Sequence, residues 1–192
     1  KAQNLTGNFQ YFLKLDVRKY FASVDHAILK QLLKRKIKDE KMLNLLDKII
    51  DAPMPDSVSG VGMPIGNLSS QHFANLYLSE LDHFIKEKLR VKGYCRYMDD
   101  LVCFADDKKS LLAIHTRIEQ FLNQHLELKL KRKAFKLAPV SEGLPFLGVR
   151  IFPKLIRFQQ AQRSRFCRNF FKSEQGYLKG HLSLEKYIST QC

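Results

Sequence analysis

Hydrophobic and polar residues follow one another in patterns that predict a mixture of strands and amphipathic helices. Residues 11–17 (Tyr-Phe-Leu-Lys-Leu-Asp-Val) form an apolar run of strand-forming residues, which predicts a buried strand that ends at or just beyond Asp16. Asp25 is the expected N-cap of a helix whose apolar stripe comprises Ile28, Leu29, Leu32 and Leu33. A second helical stripe ends in a loop that contains proline and glycine, and this stripe comprises Met42, Leu45, Leu46, Ile49 and Ile50.

The middle of the chain continues this mixture. The spacing of apolar residues predicts a helix from Ser69 to about Leu89. Two short apolar runs follow, at residues 93–97 and 101–105, and they are joined through Met98-Asp99-Asp100. This arrangement is typical of a hairpin with an acidic pair in or beside its turn.

The last part of the chain is more basic. One of the aspartates at 106–107 is expected to cap a further helix, and residues 128–137 alternate apolar residues with Lys or Arg, which predicts a half-buried strand with a basic face. Residues 146–152 and 155–158 predict one more hairpin, and from Gln162 onward the chain is basic and helical in character. This order of elements favours an α+β fold of the split β-α-β type, in which an antiparallel sheet carries helices on one face.

The charge balance indicates the class of partner. The chain has 33 Lys and Arg residues against 19 Asp and Glu, a net charge of +14. Such an excess suits a polyanionic partner, because neutralised phosphates release their counterions; a basic, solvated surface is the alternative. The longest apolar run is the five residues 101–105, whereas a membrane-spanning helix needs roughly 20, so no membrane is expected. Four cysteines without paired spacing indicate reduced thiols in a cytoplasmic protein.

Three acidic residues are the candidates for chemistry. Asp16 ends a buried strand, where a carboxylate is costly without a partner, and Asp99 and Asp100 lie in the predicted hairpin. If the two strands are neighbours, these carboxylates converge and stay ionised most readily around a divalent cation. Oxygen ligands favour Mg²⁺ or Mn²⁺, and two such ions about 4 Å apart can activate a 3′-hydroxyl and stabilise a leaving pyrophosphate. An Asp pair that only bonds the turn backbone is the alternative.

Five segments, in the same order, resemble the motifs of reverse transcriptases. Tyr97-Met98-Asp99-Asp100 resembles the acidic box of the polymerase palm in that family. The other four segments, in chain order, are residues 12–26, 62–71, 128–137 and 146–148. The chain is therefore identified as a member of this family over roughly residues 8–158, and the resemblance implies a palm that catalyses RNA-directed DNA synthesis.

The resemblance implies a role for each matching residue. Asp16 and Asp99 match the metal-binding aspartates, Asp100 matches the supporting acid, and the backbone carbonyl of Val17 would complete a metal shell. The implied cofactor is a pair of Mg²⁺ ions, for which Mn²⁺ can substitute. Phe21 matches the bulky gate that blocks a ribonucleotide 2′-hydroxyl and so selects dNTPs; ordinary core packing is the alternative.

Residues 62–71 resemble the motif that lines the nascent base pair, so Ile65, Gly66 and Gln71 are implied nucleotide contacts. The commoner form of this motif has Gln before the glycine and ends in Ser-Pro. The form found here, Ile-Gly-Asn-Leu-x-Ser-Gln, resembles the reverse transcriptases of diversity-generating retroelements, which copy a template RNA with errors concentrated at adenines. The alternatives are group II intron, retron and CRISPR-associated or defence enzymes, and a non-catalytic palm that only binds nucleic acid.

Basic residues complete the implied site. Lys133 or Lys136 would serve as the proton donor near the leaving pyrophosphate; a phosphate contact or a solvated charge is the alternative for either. Arg163, Arg165 and Arg168 resemble the start of a thumb helix, and a basic helix with aromatic residues suits a template–primer groove.

These interpretations give a palm at residues 1–158, a partial thumb at 159–192 and fingers that are largely absent. Because the chain does not begin with Met, we expect it to be a fragment, and by itself it should polymerise poorly or not at all. The expected partners are an RNA template, a DNA or RNA primer and dNTPs. A basic accessory protein of the retroelement is a further candidate partner. The expected location is the cytoplasm, and the expected gene is bacterial or carried by a phage.

Overall fold

The computed structural model describes residues 1–52, 59–64, 66–158 and 160–179, and its centre is a four-stranded antiparallel sheet. The strands are β1 (Tyr11–Asp16), β2 (Gly93–Tyr97), β3 (Asp100–Ala105) and β4 (Lys136–Pro139). Their order in the sheet is β2-β3-β1-β4, so the first strand of the chain is an inner strand. This position suits a segment in which Phe12, Leu13 and Leu15 are all buried.

Helices connect these strands, and several of the helices have an N-cap residue whose side chain accepts a hydrogen bond from the first turn. In the described residues the α-helices are α1 (Ala2–Asn8), α2 (His26–Lys36), α3 (Glu40–Ile50), α4 (Leu68–His83), α5 (Lys108–His125) and α6 (Gln160–Leu178). The carboxylate of Asp25 accepts a hydrogen bond from the Ile28 amide, which confirms the predicted N-cap of α2. Asp107 caps α5 in the same way, so the choice left open at 106–107 falls on the second aspartate.

The sheet is covered on both faces. Leu13, Leu15 and Leu101 belong to the larger core cluster, with residues of α2, α4 and α5. Phe12 and Val102 belong to a smaller cluster with α1 and with a second sheet, whose strands are β5 (Leu144–Phe146), β6 (Val149–Ile151) and β7 (Ile156–Phe158). The predicted α+β palm, with its main helices on one face, is confirmed.

The predicted strand at 128–137 is wrong over most of its length. Leu130 forms an isolated bridge with Val17, and regular pairing with β1 resumes only where Lys136 pairs with Lys14. Between these two pairings, two residues on the β1 side, Leu15 and Asp16, thus face the five residues 131–135 on the other side, a surplus of three. The surplus forms a 3₁₀ turn at Arg132–Ala134, because a chain with extra residues must leave the ladder to keep the pairing on either side.

Two other predicted elements are divided in the structure. The predicted strand at 146–152 is interrupted by a turn at Leu147 and Gly148, which have φ values of 48° and 78°, so that β5 and β6 form a tight hairpin of their own. The predicted helix from Ser69 to about Leu89 begins at Leu68 and remains α-helical to His83, and it continues as a π-helical turn over Phe84–Lys88. No helix in the described part of the chain is long and apolar enough to span a membrane.

Candidate active site

The three aspartates singled out in the sequence lie together at one end of β1 and β3. Asp16, the last residue of β1, is paired with Asp100, the first residue of β3. Asp99 lies in the two-residue turn between β2 and β3, directly before Asp100. Because paired residues of neighbouring strands have side chains on the same face, the carboxylates of Asp16 and Asp100 share one face of the sheet.

Two lysines face this acidic cluster. Nζ of Lys14 lies 2.9 Å from Oδ1 of Asp100, and Nζ of Lys131 lies 3.6 Å from Oδ2 of Asp16. Burial raises the pKa of the Asp99 carboxyl above its usual value; the nearby carboxylates of Asp16 and Asp100 raise it further, whereas its own backbone and Lys131 lower it. The site has three carboxyl groups and only two lysines beside them, so the lysines do not neutralise all of its negative charge.

The donor set suits a hard divalent cation. It consists of oxygen atoms, which Mg²⁺ prefers, and the mutual repulsion of the carboxylates would be relieved by a bound cation. Within the described ranges, no three His, Cys, Asp or Glu side chains are grouped so that they could hold a metal ion. Mg²⁺ is commonly bound through one or two carboxylates together with substrate phosphates, and the paired Asp16 and Asp100 are carboxylates of this kind.

The backbone after Asp16 is held by the segment that precedes β4. The amide of Lys131 donates to the carbonyl of Asp16 at 2.9 Å, and the amide of Arg18 donates to the carbonyl of Lys129 at 2.8 Å. Neither of these bonds uses the carbonyl of Val17, which lies between them. Val17 itself is 1% exposed, so its position is fixed by packing.

Phe21 lies next to the loop that resembles the second motif. The amide of Met63 donates to the Phe21 carbonyl at 2.7 Å, and the amide of Gly62 donates to the Val24 carbonyl at 2.8 Å. His26 adds a third contact, because its amide donates to the Gly60 carbonyl at 3.0 Å. The Phe21 ring is half-buried and tilted against Tyr20. The segment after Asp16 and the glycine loop are thus joined through their backbones.

The remaining predicted nucleotide contacts are distributed around this loop. Ile65 lies outside the described residues. Gly66 has a φ of 101°, which favours glycine, and no atom lies within 4 Å of the position a Cβ would take. Gln71 is exposed in the first turn of α4.

Among the described residues, no ion pair joins the predicted basic contacts to the acidic cluster. Lys133 is exposed in the 3₁₀ turn, and Nζ of Lys136 lies 6.0 Å from the centre of the Phe12 ring. Exposed arginines on α6 include Arg163, Arg165 and Arg168. Sequence reasoning missed Lys14 and Lys131. Lys14 could have been found, because it precedes Asp16 by two residues in a strand and must share its face.

The sequence model of the family described as reverse transcriptase (RNA-dependent DNA polymerase) matches residues 1–151. The chain belongs to the reverse transcriptase family. This finding agrees with the arrangement of Asp16, Asp99 and Asp100 at the end of the central strand pair.

Relatives of this reverse transcriptase chain include bacterial proteins. Protein YkfC of Escherichia coli K12 is 25% identical over 185 residues, which covers 78% of this chain and 49% of YkfC. The group II intron-encoded protein LtrA of Lactococcus lactis subsp. cremoris is 35% identical over 83 residues, 41% of this chain and 14% of LtrA. The chain thus spans about half the length of YkfC and a smaller part of LtrA.

Solved structures of telomerases share the fold. Apo telomerase of Candida tropicalis matches with a TM-score of 0.66 at 14% identity, over 98% of this chain and 42% of the telomerase. A Candida albicans telomerase in complex with a fragment of telomeric RNA matches with a TM-score of 0.61 at 11% identity, over 79% of this chain and 31% of that one. These similarities confirm the fold of a reverse transcriptase palm.

Proposed function

We propose that this chain is the catalytic palm of an RNA-directed DNA polymerase. The observation that carries the proposal is the pairing of Asp16 with Asp100 across β1 and β3, with Asp99 in the adjoining turn. This arrangement concentrates carboxylate oxygens at one end of the two inner strands in a chain of the reverse transcriptase family. In this proposal residues 1–158 form the palm and residues 159–192 begin a thumb.

Each residue of the site has a role in the proposed reaction. Asp16 and Asp99 would hold divalent cations together with the carbonyl of Val17, while Asp100, paired with Lys14, supports the cluster. Bound Mg²⁺, or Mn²⁺ in its place, would activate the primer 3′-hydroxyl and neutralise charge on the leaving pyrophosphate. Phe21 would exclude a ribonucleotide 2′-hydroxyl.

Basic residues would serve the nucleic acid and the phosphates. Lys133 or Lys136 is proposed as the proton donor or phosphate contact, and the nearer Lys131 offsets Asp16. The proposed partners are an RNA template, a DNA or RNA primer and dNTPs, and one telomerase of the same fold is described in complex with RNA. The exposed arginines 163, 165 and 168 would contact the template–primer backbone. We also propose a cytoplasmic location, on the basis of the cysteines without paired spacing, and a basic accessory protein of the retroelement as a further partner.

The proposed subclass is a diversity-generating retroelement, on the basis of the Ile-Gly-Asn-Leu-x-Ser-Gln form at residues 65–71. The similarity to LtrA favours a group II intron enzyme as the second candidate. Sequencing cDNA made on an adenine-rich RNA separates the two, because the first candidate should concentrate its errors at adenines. In that enzyme Ile65→Gln should lower these errors, since a site that recognises by hydrogen bonds discriminates more strongly than an apolar one.

The test of the proposed reaction is primer extension by the full-length protein. Asp99→Asn and Asp16→Asn should each lower extension with Mg²⁺ or Mn²⁺ by at least a hundredfold, which corresponds to about 2.7 kcal/mol of barrier. Asp106→Asn is the matched control, because Asp106 follows the opposite end of β3 and its carboxylate accepts a hydrogen bond from the Gln10 amide. Extension by Asp99→Asn within tenfold of the control would reject the metal-site assignment.

A further inference from the structure

The guanidinium of Arg96 lies between α4 and the turn that follows β2, and the Arg96 side chain is only 10% exposed. Its Nε donates to Oδ1 of Asp82 at 2.8 Å and its Nη2 donates to Oδ2, so the ion pair is bidentate. Its third nitrogen, Nη1, donates to the backbone carbonyl of Met98 at 2.9 Å and to Oδ1 of Asn75 at 3.1 Å. One side chain therefore joins the turn to two residues of α4.

Asp82 is held by a second donor as well. The hydroxyl of Tyr94 donates to Oδ1 of Asp82 at 2.6 Å. Tyr94 and Arg96 lie two residues apart on β2, so both side chains point toward α4. Burial lowers the pKa of the Arg96 guanidinium, but Asp82 outweighs burial and holds that pKa above its usual value. The guanidinium therefore stays charged although it is largely buried.

The turn that Arg96 contacts has a backbone conformation that needs support. Met98 has a φ of 53°, in the left-handed region that side chains with a Cβ rarely adopt. Such a conformation is strained and persists where surrounding contacts determine it. The hydrogen bond from Arg96 fixes the carbonyl of the residue directly before Asp99.

We propose that Arg96 is a positioning residue for Asp99, with Asp82 as its anchor on α4. This inference rests on the proposed polymerase function, because it assigns Arg96 to the placement of a carboxylate that must meet the reacting groups. Side chains of such sites must be held within about 0.5 Å of the productive geometry. A lysine at position 96 would keep the charge, but a single ammonium cannot make the bidentate pair and also reach Met98.

The experiment compares Arg96→Lys with Glu80→Gln in the full-length protein. Glu80 is a matched control, because it lies on the same helix and its ion pair with Arg35, at 3.2 Å, does not involve the turn. Three quantities are measured: kcat and the dNTP KM of primer extension, and the affinity for Mn²⁺, by electron paramagnetic resonance with a chain-terminated primer on its template. Thermal unfolding of each variant gives the folded fraction at the assay temperature.

Arg96→Lys should lower kcat at least tenfold per folded molecule, leave the dNTP KM within threefold and weaken Mn²⁺ binding at least fivefold. Glu80→Gln should stay within twofold of wild type in all three quantities. A kcat and a Mn²⁺ affinity within twofold of wild type for Arg96→Lys would overturn the proposal. If Arg96→Lys does not fold, Asp82→Asn is measured in its place. A loss of at least threefold in kcat per folded molecule would support the positioning role of Arg96. A kcat equal to that of Glu80→Gln would reject this role.

Asp99→Asn, measured in the same assays, separates this inference from the proposed function. If Asp99→Asn retains extension, the metal-site assignment fails, and the positioning role of Arg96 fails with it. If Asp99→Asn abolishes extension and Arg96→Lys does not change it, only the positioning role is rejected.

Discussion

Lys14 and Asp100 form an ion pair across β1 and β3, with 2.9 Å between Nζ and Oδ1 and with side chains that are 19% and 25% exposed. The pair lies beside Asp16 and Asp99, so its lysine reduces repulsion within the acidic cluster. Lys14 thus contributes to folding a site whose carboxylates would otherwise oppose one another.

Lys14→Met should lower the free energy of unfolding at pH 7 by about 1 kcal/mol. The loss is no larger because both side chains of the ion pair are partly exposed, and solvent weakens their attraction. The change keeps an apolar stem of similar length and removes only the charge that faces Asp100. Denaturant unfolding measures it, and added Mg²⁺ should recover part of the loss, because the cation takes over the neutralising role. Lys136→Met is the control, since Lys136 is the neighbour of Lys14 on β4 and its ammonium lies over the Phe12 ring. Equal losses in the two variants would contradict the prediction.

Phe21→Ala should raise incorporation of ribonucleotides relative to deoxyribonucleotides by at least tenfold in the full-length enzyme. The reason is steric, because the smaller side chain leaves room for a 2′-hydroxyl. Competition assays with both nucleotides measure the ratio. Phe121→Ala is the matched control, because Phe121 is also a partly buried aromatic, stacked on Phe84 with 4.3 Å between ring centres. If both variants lose stability and neither changes the ratio, Phe21 only packs the core.

The sequence predicted those parts of the fold in which local pattern and tertiary structure agree. The apolar run before Asp16, the hairpin around Asp99 and the cap at Asp25 each carry their own signal, and all three are found. The strand predicted at 128–137 failed because its alternation is compatible with pairing along its whole length. Only the register against β1, which depends on residues far away in the chain, shows that three residues must leave the ladder.

The acidic residues of the site could be predicted from the sequence, but the ion pairs and hydrogen bonds around them could not. Motif resemblance identified Asp16, Asp99 and Asp100, but it did not identify the partners of these residues, which are Lys14 on β1 and Lys131 in the segment before β4. Arg96 is adjacent to Tyr97 in the sequence, yet its role depends on Asp82, fourteen residues earlier and one helix away. Such side-chain pairings require the three-dimensional arrangement, because no spacing rule joins a helix to a strand at that separation.

Native cysteines should differ sharply in their rate of alkylation. Burial raises the pKa of Cys103 from 9.0 to about 12 and also raises that of Cys95, whereas Cys167 is exposed. The thiolate is the nucleophile, so a pKa three units higher leaves about a thousandfold less of it at pH 8. In a Cys192→Ser background, Cys167 should react within minutes and the other two only after unfolding, as measured by mass spectrometry. Rapid labelling of Cys103 in the folded protein would show that its strand opens.

Binding to an RNA–DNA hybrid should weaken at least tenfold between 50 and 200 mM salt, because the +14 charge acts through phosphate contacts. Replacing Arg165 and Arg168 together by Gln should reduce the salt slope by about two. Lys34→Gln and Lys38→Gln, on and after α2, remove the same charge from a surface that lies outside the proposed thumb. An equal reduction by both pairs would indicate that net charge, and not α6, determines the affinity. Fluorescence anisotropy at several salt concentrations gives both slopes.

The inner position of β1 bears on how the protein is made. This strand leaves the ribosome before both of its partners, because β3 and β4 are synthesised only after α4 and α5 respectively. Until then the nascent chain carries a strand whose Phe12, Leu13 and Leu15 are not yet buried and which has two open edges, a state prone to aggregation. Production should therefore depend on chaperones and on slow, cool expression. A shortened gene that ends before β3 would yield a chain that cannot bury its own first strand.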